Sequence, residues 1–318
     1  MINCIFKLPH VASFAVGYAV SSFVWLAYSQ SRGRLASTQV GGEAGAQTIE
    51  EERVLMVEQR PRIILFGDSL TQQGFSTTTN GWAAQIADLY QRRSDVLNRG
   101  FSGYNSRWAR LLLPELFPAE DPAPLLVAVL LGANDAALPG YPQHVPVAEY
   151  EENLRAIVAH FRTAYPGTGL LLLTPPPVHE GLWGAFVAAQ GRELDRRAQV
   201  TAQYAAACRR VARREGLPLV DCHAAMGGED QGAAAPFLSD GLHLTARGND
   251  KVFQMLDEVL RREFKHIYPE EGPLEMQAPW WGDVDPRNPA RSLLPALARY
   301  RKRGGGRRGP GGAGGAKM

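Results

Sequence analysis

The sequence predicts an α/β sandwich, a doubly wound sheet of five parallel strands with helices on both faces. Three observations carry this. Between residues 62 and 264, short apolar runs alternate with longer segments of helical period, and that alternation implies parallel pairing through right-handed crossovers. The run "LLVAVLLG" is apolar without a break up to its glycine, as expected of a strand covered on both faces. The residues that follow the apolar runs are Gly, Asp, Ser, Asn and Pro, which end strands and shape the loops where ligands bind in open α/β sheets.

The elements follow in order. "RIILF" is a short buried strand, "GWAAQIADLYQRR" has helical period, "DVLNRG" is a second strand, and "SRWARLLLPELF" is helical up to Pro118. After the third strand, "VAEYEENLRAIVAHFRTAY" sets Val147, Tyr150, Leu154, Ile157, Val158 and Phe161 on one helical face. "GLLLLTPPP" is a strand stopped by prolines. "ELDRRAQVTAQYAAACRRVARREG" (residues 193–216) predicts a long helix with Leu194, Ala198, Tyr204, Cys208 and Val211 inward. "LPLVDC" is the fifth strand, and "TARGNDKVFQMLDEVLRREF" closes as a helix capped by Thr245. Beyond Phe264, "PLEMQAPWWGDVDP" carries two tryptophans and packs on the body, whereas "RYRKRGGGRRGPGGAGGAKM" is low-complexity and reads as disordered.

Charge is distributed unevenly. The formal net charge is +2, but residues 287–318 hold nine Lys or Arg and no acid, so the rest of the chain is acidic. An acidic body argues against a nucleic-acid-binding domain. Cys4, Cys208 and Cys222 form neither a disulfide framework nor a metal-ligand spacing, and no G-x-G-x-x-G or P-loop follows a strand. At the N-terminus, residues 8–31 contain no Asp, Glu, Lys or Arg. That length just suffices to cross a bilayer as a helix, and Ala27-Tyr28-Ser29 also suits signal-peptide cleavage. Membrane anchoring through this segment is the leading expectation, with a cytoplasmic or secreted location as the alternatives.

The strand ends deliver a set of groups suited to acyl transfer. Gly67-Asp68-Ser69 follows the first strand, Gly103 the second, and Gly132-Ala133-Asn134-Asp135 the third; Asp240 and His243 come after the fifth. A serine hydroxyl becomes a nucleophile only when a base takes its proton. His243 can be that base, and Asp240, three residues earlier, can hold the other ring nitrogen and fix the tautomer. The oxyanion that forms needs preorganised donors, which the backbone N–H groups of Ser69 and Gly103 and the Asn134 carboxamide can supply. Asp68 braces the turn through the backbone. Asn105 and Trp108, in the same loop as Gly103, are candidates for substrate contact. His10, His144, His160, His179, His223 and His266 lack a nearby Asp combined with strand-end placement. Each motif alone is common; the four in order are not.

Together "FGDSLTQQG", "NRGFSGYNSRWA", "LLGANDAALPG" and "LSDGLHLTARGN" resemble the GDSL, or SGNH, hydrolase family. The wider phrasing, with "EYEENL" and "LLTPPPV", is similar to the isoamyl acetate-hydrolysing esterase group within it. The resemblance covers roughly residues 62–283. It implies a flavodoxin-like three-layer α/β/α fold and no metal or organic cofactor. It also implies Ser69 as nucleophile, Gly103 and Asn134 as oxyanion donors, and Asp240 with His243 completing a triad that hydrolyses small acetate-type esters. The expected organisation is an apolar segment (1–30), a linker (31–60), an SGNH hydrolase domain (61–285) and a basic Gly-rich disordered tail (286–318). Two other functions compete. One is a membrane-held lysophospholipase or thioesterase with the same chemistry. The other is a non-enzymatic scaffold whose basic tail binds RNA or an acidic surface. Oligomeric state is open.

Overall fold

Five strands form a single sheet: β1 (Arg62–Gly67), β2 (Asp95–Gly100), β3 (Leu126–Leu130), β4 (Gly169–Leu173) and β5 (Leu219–Val220). All neighbours pair in parallel, in the order β2-β1-β3-β4-β5. This is the flavodoxin-like order, which reverses direction between β1 and β3 and opens a crevice at their carboxyl ends. The computed structural model describes residues 60–304. The apolar segment and linker, and residues 305–318 of the tail, lie outside the described residues.

The helices are α1 (Ser69–Gln72), α2 (Trp82–Leu89), α3 (Ser106–Leu116), α4 (Val147–Ala164), α5 (Glu180–Ala188), α6 (Ala198–Glu215), α7 (Cys222–Ala225), α8 (Gln231–Ala234), α9 (Ala246–Glu263) and α10 (Pro289–Gly304). Alternation along each strand sorts them into two layers. Ile63 and Leu65 join Trp82 and Ile86 of α2 and Val252 and Leu256 of α9 in one core. Ile64 and Phe66 face the opposite way, onto Leu113 of α3, Ile157 and Phe161 of α4, and Tyr204 and Val211 of α6. The second core includes an aromatic cluster, with Phe117 5.2 Å from Phe66 and 5.0 Å from Phe161 between ring centroids. Thr245 caps α9 by accepting from the Gly248 N–H at 3.1 Å.

The structure departs from the sequence expectation in four places. The helix expected from residue 193 begins at Ala198; Asp195 and Arg196 before it are fully buried as an ion pair of 2.7 Å. Helix α5 has no periodic signal in the sequence, because "EGLWGAFVA" is apolar on nearly every side. β5 is two residues long rather than six. The expected disordered tail begins instead with α10, whose Ala, Leu and Arg residues favour a helix until the glycine run. The segment before it is tied to the body. Arg92 donates to the carbonyls of Ala278 and Pro279 at 2.7 Å each, while Trp280 and Trp281 stay exposed. Among the described residues, no helix is long and apolar enough to cross a membrane.

Candidate active site

β1 ends in Gly67, beside Gly100 of β2 and Leu130 of β3 in the sheet register. The chain then turns directly into α1, with Ser69 as its first residue. The Asp68 Oδ1 accepts from the Leu70 N–H at 2.9 Å, and the Asp68 carbonyl accepts from Thr71 and Gln72. This capped turn sets Ser69 as the first residue of the helix, two residues beyond the end of β1. Asp68 is fully buried, and its Oδ2 has no hydrogen-bond partner. Burial, opposed by the Leu70 bond and reinforced by the nearby Asp135 charge, pushes its carboxyl up to about 7.

From the far end of the chain, His243 meets Ser69. Its Nε2 lies 3.0 Å from the Ser69 Oγ, and its Nδ1 lies 2.7 Å from the Asp240 Oδ2. The Asp240 Oδ1 accepts from the Leu242 and His243 N–H groups at 2.9 and 2.8 Å. Burial alone would raise this carboxyl, but the His243 and backbone hydrogen bonds outweigh it and hold Asp240 below its usual value. An ionised Asp240 on Nδ1 leaves Nε2 free to accept a proton from the hydroxyl. The loop between them is shaped by Gly241, at φ +95. A Cβ there would meet the Trp183 N at 2.3 Å and the His179 O at 2.6 Å. Helix α5 therefore packs directly on the loop, and the Trp183 ring stands edge-on to the His243 ring at 6.4 Å.

Asn134 follows β3, and its Nδ2 donates to the Tyr104 carbonyl at 2.9 Å, joining it to the loop that holds Gly103. Gly103 adopts φ +82, open to glycine and costly for a residue with a Cβ. Its carbonyl accepts from the Gln143 Nε2 at 2.8 Å. The groups after β1 and β3 thus flank the crevice where the sheet reverses.

The two substrate-contact candidates separate. Trp108 is half-buried and packs edge-on against Tyr104 at 5.8 Å. Asn105 is fully buried and structural: its Oδ1 caps α3 by accepting from the Trp108 N–H at 2.9 Å, and its Nδ2 donates to the Gln143 carbonyl at 3.0 Å. Both ends of its amide are engaged inside the protein, which braces the loop that carries Gly103. Of the remaining histidines, His179 caps α5 by accepting from the Leu182 N–H and His160 bonds the Phe117 carbonyl. Asp135 is also buried and bonds the backbone N–H and hydroxyl of Ser106. Burial, only partly offset by these bonds, pushes Asp135 up to about 6.

Sequence reasoning missed the Asp195–Arg196 pair and Gln143. Arg196 donates to the Ala133 carbonyl at 2.9 Å and to Asn134 Oδ1 at 3.2 Å. The signal was weak, since a charged pair at the start of an apparently helical stretch reads as a solvated face. No group of three His, Cys, Asp or Glu among the described residues is placed to hold a metal ion.

Comparison with known proteins places the chain among esterases. The chain is 40% identical over 239 residues to the isoamyl acetate-hydrolyzing esterase 1 homolog of Bos taurus, covering 74% of this chain and 92% of the relative. It is 38% identical over 243 residues to a GDSL esterase/lipase of Arabidopsis thaliana, covering 74% of this chain and 98% of that protein. Among solved structures, a putative GDSL-like lipase from Parabacteroides merdae superposes with a TM-score of 0.50 at 20% identity, over 63% of this chain and 95% of that one, a likeness of fold. The GDSL-like lipase/acylhydrolase family model matches residues 65–251, a stretch that contains every residue of the relay from Ser69 to His243. The chain belongs to the GDSL-like lipase/acylhydrolase family and is a carboxylic ester hydrolase.

Proposed function

We propose that the protein hydrolyses small, acetate-type carboxylic esters through an acyl-enzyme formed on Ser69. The observation that carries this reading is the unbroken relay from Asp240 through His243 to Ser69, with contacts of 2.7 and 3.0 Å. His243 takes the hydroxyl proton as Ser69 Oγ attacks the ester carbonyl. The tetrahedral oxyanion is held by the N–H groups of Ser69 and Gly103 and by Asn134 Nδ2. His243 then returns the proton to the leaving alkoxide. Water, deprotonated by the same imidazole, releases the carboxylate and restores the hydroxyl. Asp240 stays ionised throughout, stabilising the imidazolium. The preference for small acetate-type esters rests on the relatives named for isoamyl acetate hydrolysis.

A fluorophosphonate probe should label the wild-type protein and fail to label Ser69→Ala, with ester turnover lost in parallel. Persistent turnover by Ser69→Ala would remove the acyl-enzyme from consideration. On a panel of esters of graded acyl length, acetate esters should turn over fastest; a preference for long-chain lysolipids would overturn the small-ester assignment.

A further inference from the structure

Arg196 is among the largest fully buried side chains of the protein, at 1% exposure, and every one of its N–H groups is spent. Nε donates to the Ala133 carbonyl at 2.9 Å. Nη1 lies 2.7 Å from the Asp195 carboxylate and 3.4 Å from the Asp195 carbonyl. The two hydrogens of Nη2 go to two different carboxamides, Asn134 Oδ1 at 3.2 Å and Gln143 Oε1 at 2.8 Å. Asp195 is itself anchored, accepting from Trp183 Nε1 at 2.7 Å.

Both amides are thereby oriented. A guanidinium has no acceptor and a backbone carbonyl has no donor. Asn134, between Arg196 and the Tyr104 carbonyl, can only place its oxygen on the arginine and its nitrogen on the loop. Gln143, between Arg196 and the Gly103 carbonyl, is held in the same sense. The second hydrogen of Asn134 Nδ2 has no protein partner among the described residues. A positive charge on the amide oxygen also polarises the N–H bond and strengthens it as a donor.

We infer that Arg196 is a positioning residue that holds the two oxyanion donors outside the nucleophile loop, Asn134 directly and Gly103 through Gln143, in one fixed arrangement. This rests on the acyl-transfer reading above. Acting only through donors that engage the transition state, Arg196 governs kcat rather than KM. Lysine cannot replace it, because one ammonium has three donors at a single point and cannot span both amides and Asp195.

The test compares Arg196→Lys and Gln143→Glu, each alone and combined with Asn134→Ala, on a short acetate ester and with a boronic acid that forms a tetrahedral adduct on serine. Gln143→Glu keeps an acceptor for Arg196 but loses the donor to Gly103. Arg196→Lys should lower kcat by about 10- to 100-fold, the scale expected for a misplaced donor. KM should stay within about twofold, and boronate affinity should fall by the same factor as kcat. In the Asn134→Ala background the lysine substitution should cost a clearly smaller factor, because one of the two donors it positions is already gone. Equal costs in both backgrounds, an unchanged kcat, or a rise confined to KM would overturn the clamp. Should Arg196→Lys not fold, Gln143→Glu at its half-buried position decides alone: an unaltered kcat rejects the inference and a drop of about tenfold at constant KM supports it. Loss of the underlying reading looks different, since Ser69→Ala would then remain active whatever residue 196 does.

Discussion

Asp68 and Asp240 are both aspartates close to Ser69, and their surroundings drive them in opposite directions. Asp240 accepts two backbone N–H groups and the imidazole, so its charge is matched and its carboxyl is held low. Asp68 accepts one N–H, is wholly buried, and sits near Asp135, so burial favours its neutral form and raises it to about 7. The consequence for stability follows from linkage. Between the ordinary carboxylate value near 4 and about 7, the unfolded chain releases a proton that the folded protein keeps at Asp68. Stability therefore falls as pH rises through that window and levels off above it. Asp68→Asn keeps the Oδ1 that caps α1 and removes the titration. Its urea midpoint relative to wild type should rise steadily from pH 5 to about pH 7 and then stay constant. Parallel curves across that range would show that Asp68 is already ionised in the folded protein.

Elements matter here through their ends. Helix α1 starts with only Asp68 between it and the end of β1, which puts the Ser69 hydroxyl at the sheet edge. Helix α5 packs its first turn on Gly241, so the loop that carries Asp240 and His243 is shaped by a helix from another part of the sequence. Gly241→Ala adds both a strained positive φ and a collision with the Trp183 N and His179 O. Each such strained backbone position costs about 1–3 kcal/mol, and a shift of about 1 Å at a reacting group costs on the order of 10²-fold in rate. The variant should lose kcat by about that factor with a smaller melting-temperature drop than a core cavity gives. Wild-type turnover in Gly241→Ala would mean the loop absorbs the change without moving His243.

At the scale of the molecule, two cores lie on opposite faces of one sheet while the chemistry sits on its carboxyl rim. The cores supply stability, and the rim draws on it to hold an unpartnered Asp68 oxygen. Phe161, in the aromatic cluster of the far layer, touches none of the relay residues by hydrogen bond or ring contact. Phe161→Ala should destabilise by about 3–5 kcal/mol, as expected for a buried aromatic truncated to alanine, and leave kcat/KM of the folded fraction within about twofold. A large fall in kcat/KM would show that the far core helps to set the rim geometry. Much of this architecture was legible beforehand. Apolar runs and the 3.6 period are written locally, so β1 to β4 and α9 could be placed, α4 could be read with its inward face, and the strand-end positions of Ser69, Gly103, Asn134, Asp240 and His243 followed from them. The capping role of Asn105 was not legible, because a helix cap and a substrate ligand demand the same residue type and only the partners of its amide show the cap. By itself, then, the sequence determined the alternation of strands and helices, the inward faces of two helices and the residues delivered to the rim, since each depends on spacing along the chain. Tertiary structure alone decided that 3.0 Å separate residues 174 positions apart, that Asp195 and Arg196 precede the helix as a buried clamp, and that burial raises the Asp68 carboxyl to about 7. These depend on which distant groups exclude water from one another, and no local pattern encodes that.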